Sequence, residues 1–353
     1  MNILITGATG FLGSEILPKI QGNFDKIYLL IRNPAKIDKS LHLKASNIVL
    51  VQGDITERQI FTKQEDREII LNNVDIILHT AALYDLQADA TECYFTNIIG
   101  TFNLLTFASQ ITRLKYFHHL STIAVKGDLK GDLFENIEQI PKVKYSNNYA
   151  QTKMSAELLV RKSNFSNAKV RIYRPGIVVG NSKTGKINRI DGPYYFLKFL
   201  SRKFFITQVI KKLPFILFPF NPNTILPLIP VDIVCDWLAH MLINPQGDEP
   251  VKIYNLVPKE NPTVKEFLES CKLEFKLAGS FKPFDTFQSL FKAFAFKLDI
   301  PHEIIPYMND HGGYIIDNRI KDYPKLKDDF LFKNYQDVFF KGFSNFIKSV
   351  NNQ

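Results

Sequence analysis

The chain has 353 residues, of which 45% are hydrophobic and 22% charged, with a formal net charge of +9. That length can bury a sizeable core as one large domain, or as a main domain with a smaller partner, and the composition excludes a disordered or low-complexity chain. Cys93, Cys235 and Cys271 are odd in number, far apart and without a C-x-x-C pair, which argues against a disulfide framework or a zinc site and for a reducing, cytoplasmic setting.

The MNILITG start runs straight into a strand-like segment with no basic leader or cleavage signal, so no targeting peptide is expected. Asn2–Thr6, Lys26–Ile31, Asn47–Val51, Val74–His79, Lys115–Leu120 and Lys169–Tyr173 are short runs rich in Ile, Val, Leu and aromatics. They lack clean polar alternation, as strands of a parallel sheet covered on both faces do. Phe11–Gln21, Ala90–Gln110 and Asn148–Lys162 carry helical patterns between them, with Pro18 expected to kink or shorten the first. Strand and helix in alternation predict a doubly wound, mostly parallel α/β sheet.

After Gly180 the pattern changes. Residues 181–230 are aromatic and Pro-rich. Val231–Leu242 reads as a helix, Val251–Leu256 as one more strand, and Thr263 and Glu266 have capping-box spacing ahead of another helix. Phe281–Phe296 looks amphipathic, and Asp337–Val350 could close the chain as a helix. The expected organisation is a nucleotide-binding domain over 1–180, rejoined by 231–260, with a smaller C-terminal substrate-binding cap formed by 181–230 and 261–353. Phe204–Pro230 is the most apolar stretch, but Lys211-Lys212 and several prolines interrupt it well short of the ~20 apolar residues that a spanning helix needs.

Arg202-Lys203 and Lys211-Lys212, with Lys183, Lys186 and Arg189 before them, read either as a solvated basic face or as attraction to an anionic partner. A phosphate-bearing carrier or lipid headgroups would suit, which leaves a peripheral membrane contact open. No helix-turn-helix, zinc module or aromatic-basic motif points to nucleic acid. His79, His118 and His119 lie on or beside strands without metal-ligand spacing, so core or strand-end histidines are expected rather than a metal. The aromatic stretches Tyr194–Phe205, Phe215–Phe220 and Phe281–Phe296 are most simply packing, with an apolar tunnel for an acyl chain as the sharper alternative.

Thr6-Gly7-Ala8-Thr9-Gly10-Phe11-Leu12-Gly13 sets glycines at G-x-x-G-x-x-G spacing between the first strand and helix. There a Cβ-free backbone can approach a pyrophosphate, and the helix start can hold the anion with its free N–H groups. A Rossmann-type dinucleotide site is therefore expected, involving Gly7, Thr9, Gly10, Phe11, Leu12 and Gly13. Where an NAD-preferring site would carry an acid for the ribose hydroxyls, this chain has Arg32 at the end of the second strand. A guanidinium suits a 2′-phosphate, so NADP(H) is the preferred cofactor, although an ordinary surface arginine would look the same.

Tyr149-Ala-Gln-Thr-Lys153 places a phenol and an ammonium one helical turn apart. A phenol near pKa 10 needs help to exchange protons, and a neighbouring ammonium is expected to bring it down. Leu120-Ser121-Thr122 ends the fifth strand, at the sheet edge where such folds hold ligands, and either hydroxyl could bond a substrate oxygen.

With these pieces, and with Gly53-Asp54-Ile55, His79-Thr80-Ala81-Ala82, Asn97-x-x-Gly100-Thr101-x-Asn103-Leu104-Leu105 and Arg174-Pro175-Gly176, the chain resembles the extended short-chain dehydrogenase/reductase superfamily over about residues 1–260. The run from Arg174 to Gly185, and Asp191-Gly192-Pro193-Tyr194-Tyr195, resemble its thioester-reductase and fatty acyl-CoA reductase branch. The resemblance implies that Asp54 and Ile55 contact the adenine, and Ala81 and Ala82 the phosphate-ribose region. Asn97 would support the active-site helices, and Pro175, Gly176, Ile177 and Val178 would lie along the nicotinamide. Tyr149, Lys153 and Thr122 would be catalytic, with Ser121 as the second choice for the hydroxyl. Val231-Asp232 resembles a segment that opens a helix under the substrate site. Lys126 departs from the aromatic residue that many relatives carry, and Leu83-Tyr84-Asp85 belongs to this chain's own pocket wall.

The implied activity is NADPH-dependent reduction of an acyl thioester, on CoA or an acyl carrier, to aldehyde or alcohol. Reduction or oxidation of a ketone, a sterol-like alcohol or a nucleotide sugar stays open, as does a non-enzymatic NADP(H) sensor.

Overall fold

The computed structural model describes residues 1–34, 45–85, 88–136, 138, 143–201, 205–284, 305–328 and 330–351. The first half runs β1 (Asn2–Thr6), α1 (Phe11–Ile20), β2 (Lys26–Ile31), β3 (Ile48–Gln52), α2 (Gln64–Asn73) and β4 (Ile76–His79). Then come α3 (Ala90–Cys93), a π-helical stretch (Tyr94–Ile99), α4 (Gly100–Ala108), β5 (Tyr116–Leu120), α5 (Asn148–Arg161) and β6 (Lys169–Pro175). Beyond these lie β7 (Ile177–Val179), α6 (Pro193–Ser201), α7 (Phe205–Lys212), β8 (Phe215–Phe218), β9 (Leu228–Pro230), α8 (Val231–Ile243), β10 (Val251–Leu256), α9 (Val264–Glu274) and β11 (Ser280–Pro283). Two further helices follow, Asp317–Asp322 and Phe332–Asn351.

The main sheet has seven parallel strands in the order β3-β2-β1-β4-β5-β6-β10. The expected doubly wound parallel sheet is the one observed. Because the order reverses direction between β1 and β4, a crevice opens there at the C-terminal edge, the position at which such sheets take ligands. The register is flush at that edge, with Thr6 opposite His79 and Leu120 opposite Tyr173.

Alternate side chains feed two cores. Ile3, Ile5, Leu29, Ile76 and Leu78 pack under α1 and α8, while Leu4, Tyr28, Leu30, Ile77, Phe117 and Ile172 pack on the opposite face. A third, strongly aromatic core joins Tyr194, Phe196, Phe199, Phe218, Phe267, Phe339 and Phe343. Tyr323, late in the chain, packs back into the first core. Each such fully buried side chain stabilises by about 1.5–3 kcal/mol.

Local devices match their sequence signals. The Thr263–Glu266 capping box is present at the start of α9. Pro18 sits in the last turn of α1, which continues only two residues beyond it. The helix expected over Ala90–Gln110 is interrupted by the π stretch, and α2 was not foreseen. The terminal helix crosses the 181–187 loop where Gly185 meets Gly342. A Cβ on Gly342 would lie 2.0 Å from the Gly185 carbonyl oxygen.

Most of Phe281–Phe296 and the Arg202-Lys203 pair lie outside the described residues. Phe215 and Leu217 are about half exposed. Among the described residues no helix is long and apolar enough to cross a membrane, and no cluster of three or more His, Cys, Asp or Glu could hold a metal.

Candidate active site

At the end of β1 the chain turns at Gly7, whose φ of +77° favours glycine and where a Cβ would stand 2.5 Å from the Ala81 nitrogen. The Gly10 N–H donates to the Gly7 carbonyl at 2.9 Å, and a Cβ on Gly13 would lie 2.2 Å from that same oxygen. Gly10 opens α1 without a side-chain cap. The result is a backbone-walled cradle at a positive helix end, shaped for a dinucleotide pyrophosphate.

A cavity of about 540 Å³ runs from this cradle across the sheet edge. It is lined by Gly7, Gly10, Phe11, Leu12, Gly13, Ala82, Thr122, Tyr149, Lys153, Pro175, Gly176, Ile177 and Val178, so the structure brings these sequence-identified residues together. The remaining ones lie off the wall. Thr9 is exposed, as is Arg32 just past β2. The Asp54 carboxylate accepts from the Thr56 N–H and hydroxyl, both at 2.9 Å. Ile55 packs under Gly100, where a Cβ would strike it. Ala81 backs Gly7. Asn97, carried by the π stretch, accepts from the Leu83 N–H at 2.8 Å and donates to the Thr152 hydroxyl at 3.0 Å, tying the loop after β4 to α5.

Tyr149 and Lys153 enter the cavity from the first turns of α5, whose N-cap Asn147 accepts from the Ala150 N–H at 2.8 Å. Both are buried. Burial pushes the Tyr149 phenol well above its usual value, against a hydrogen bond with Thr122 that pulls it down. Tyr307 and Asp191 add to the rise, and Arg189 acts against it. The expectation that Lys153 would bring the phenol down is not met, because burial dominates and the ammonium is turned to the Leu120 carbonyl, to which it donates at 2.6 Å. Lys153 itself is lowered to about 8 by burial, with Glu157 pulling it back up.

Both candidate hydroxyls border the cavity, but their partners differ: Ser121 donates to the buried Glu157 carboxylate at 2.5 Å, whereas Thr122 accepts from the Ala124 N–H at 3.2 Å and bonds Tyr149. A protonated phenol with a hydroxyl beside it can donate to, and stabilise, an oxygen that gains charge.

On the far wall, Leu83 and Tyr84 line the cavity as the sequence suggested, while much of the rest was not visible there. Tyr84 sets its ring edge-on to Tyr149 with centroids 4.8 Å apart, and the Arg189 guanidinium lies 4.3 Å from the Tyr84 ring centroid while Arg189 pairs with Asp191 at 3.0 Å. Lys126, nearly fully buried, donates to Asp310 at 2.6 Å and to the His311 carbonyl at 2.7 Å. Tyr194, Phe196, Leu226, Leu228, Phe267 and Met308 supply an apolar side. The basic spacing around Arg189 and the odd Lys126 were the available signals. Nothing local announced Phe267, Tyr307 or Asp310, which arrive from distant segments.

Residues 5–238 match the NAD-binding family described as male sterility protein. The chain is 26% identical over 299 residues to L-2-aminoadipate reductase of Saccharomyces cerevisiae, covering 76% of this chain and 20% of that protein. It is also 26% identical over 281 residues to human fatty acyl-CoA reductase 1, covering 66% of this chain and 52% of that protein. The chain thus spans about half or less of these curated relatives.

Among solved structures, the terminal R domain from the myxalamid PKS-NRPS pathway superposes with a TM-score of 0.76 at 23% identity, over 97% of this chain and 90% of that one. A Bacillus cereus UDP-glucuronic acid 4-epimerase in complex with UDP-glucuronic acid and NAD reaches 0.68 at 18% identity, over 98% and 100%. Both likenesses concern the fold. With a glycine cradle fitted to a nicotinamide dinucleotide, the chain belongs to the NAD-binding family of male sterility proteins, within the thioester-reductase and fatty acyl-CoA-reductase branch of the extended short-chain dehydrogenase/reductases.

Proposed function

We propose that the protein is an NADPH-dependent reductase of acyl thioesters, acting on a fatty acyl-CoA or carrier-bound acyl group. The observation that carries this reading is the single cavity that joins the glycine cradle, the Thr122–Tyr149 pair and an apolar aromatic wall. Residues 1–180 with 231–260 hold the nucleotide, and 181–230 with 261–353 hold the acyl group. Bound reduced nicotinamide supplies the hydride.

The chain's own residues do the rest. Because burial keeps Tyr149 protonated at neutral pH, it enters as an acid, which suits reduction of a carbonyl. Thr122 and Tyr149 both donate to the carbonyl oxygen as negative charge develops on it. Lys153 offers a cation beside the ribose, and the apolar wall excludes water. Per turnover one thioester, one hydride and one proton give an aldehyde and a free thiol, and a second round gives the alcohol. Arg32, exposed at the end of β2, supports NADP(H) over NAD(H) through a guanidinium–phosphate pair.

The apolar wall disfavours a nucleotide sugar, the ligand of the epimerase with the related fold. The test is product analysis after incubation with NADPH or NADH and a panel of acyl thioesters, ketones and nucleotide sugars. Aldehyde or alcohol formed from apolar thioesters with NADPH is expected. Turnover of ketones or nucleotide sugars alone overturns the reading.

A further inference from the structure

Glu157 lies two turns beyond Tyr149 and one beyond Lys153 on α5, and it is fully buried. Its carboxylate is saturated with donors. Arg174 reaches it through Nη2 at 2.7 Å and Nε at 3.1 Å, Arg161 through Nη2 at 2.6 Å and Nε at 3.0 Å, and the Ser121 hydroxyl at 2.5 Å. None of these groups except Ser121 borders the cavity, and Glu157 does not touch it.

The elements it joins are the ones that shape the reacting end. Arg174 directly precedes Pro175-Gly176 on the nicotinamide side. Ser121 lies between Leu120, whose carbonyl takes the Lys153 ammonium, and Thr122. A buried carboxylate with this many partners costs free energy to desolvate, so mere packing is a poor reason to put one there.

We infer that Glu157 is a positioning residue for the reaction. It supplies the counter-charge that holds Lys153 as a cation, and it takes up the Ser121 hydroxyl so that Thr122 faces the carbonyl. The inference rests on the reductase reading for its chemistry, but its physical core does not need a substrate.

The groups facing Lys153 and its network are Tyr149, Glu157 and Arg161 on α5, His79 on β4, His119 on β5, Arg174 on β6, and Tyr145 just before α5. Burial holds both histidines neutral and both phenols protonated. Arg161 and Arg174 pair with the Glu157 carboxylate directly, and Lys153, one helical turn away with its ammonium on the Leu120 carbonyl, feels the same charge through space. Arginines keep their protons, so if the anion is removed, Lys153 is the group that yields.

The experiment follows the side-chain titration of Lys153 by 13C NMR in lysine-labelled protein, with the resonance assigned by its loss in Lys153→Met. The wild-type midpoint is expected at about 8. Glu157→Gln is expected to bring it down to about 6–7, Glu157→Asp to recover part of the difference, and Arg161→Met to raise it above wild type. With whichever thioester the wild type reduces, the alkaline limb of kcat should move with the midpoint.

A Glu157→Gln protein that loses thermal stability while its Lys153 midpoint stays in place overturns the inference. If that variant does not fold, an unmoved midpoint in Arg161→Met does so instead. A wild type that reduces no thioester yet shows the opposed shifts refutes the substrate reading and leaves this one standing.

Discussion

Acidification probes the sheet directly, because three histidines sit inside it. His79, His118 and His119 are essentially without solvent exposure. Burial holds the first two down to about 3 and His119 well below its ordinary value. Both His119 ring nitrogens and Nε2 of His118 lack a hydrogen-bond partner. In the unfolded chain each imidazole takes up a proton near pH 6.5, while in the fold it stays neutral. Stability is therefore complete above about 6.5 and is lost as the pH falls below it. At pH 5 each such group costs about 2 kcal/mol, and the three together cost about 6.

Glu135 works in the opposite sense. Burial outweighs its two backbone N–H bonds and pushes its carboxyl up to about 7. Its fold therefore takes up a proton before the unfolded chain does, and between about pH 7.5 and 5 this returns about 2 kcal/mol. Asp191, raised by burial, acts in the same sense as Glu135. The expected net loss is about 4 kcal/mol, a large share of the stability of an ordinary domain. Urea denaturation at the two pH values measures it. His119→Leu, which removes an imidazole with no partner, should recover about 2 kcal/mol at pH 5 and lose nothing at neutral pH. A stability that is flat over this interval, or a His119→Leu protein with the wild-type slope, would refute the reasoning.

Tyr149→Phe is expected to reduce kcat by about 10²–10⁴-fold while NADPH binding, read by fluorescence, stays near wild type. Thr122→Val should cost about 10²–10³-fold in kcat and Ser121→Ala markedly less, and the reverse order would reassign the hydroxyl. Arg32→Ala should weaken NADPH by about tenfold or more and leave NADH unaffected, since the lost charge-assisted bond is about 1.5–3 kcal/mol. Gly342→Ala drives a methyl into the Gly185 carbonyl, and calorimetry should show a loss of about 1–3 kcal/mol with the terminal helix displaced.

The sheet was legible because its strands are buried on both faces. Lys26–Ile31 and Val251–Leu256 have the boundaries that their apolar runs suggest. The glycine turn and the Tyr149–Lys153 turn were legible for another reason, since each is a local spacing. Failures came where the signal is weak or remote. In α2 only Ile70 is buried, so no apolar period marks it. The π stretch hides inside an unbroken helical pattern, because one extra residue per turn leaves the composition unchanged. The ionisation of Tyr149 was misjudged because spacing gives proximity and says nothing of desolvation. Tyr307 and Phe267 reach the cavity from sequence positions far from any motif.

Lys126 and Asp310, 184 positions apart, close the cavity rim between them. Six of the seven sheet strands, and the whole glycine turn, are encoded before residue 180. The nucleotide side can thus assemble while the ribosome is still working, yet the substrate side has no complete wall until residues 307–314 emerge. A nascent chain paused before that point leaves its aromatic lining short of these covering residues and of the terminal helix, and exposed apolar surface of this kind invites aggregation and chaperone capture.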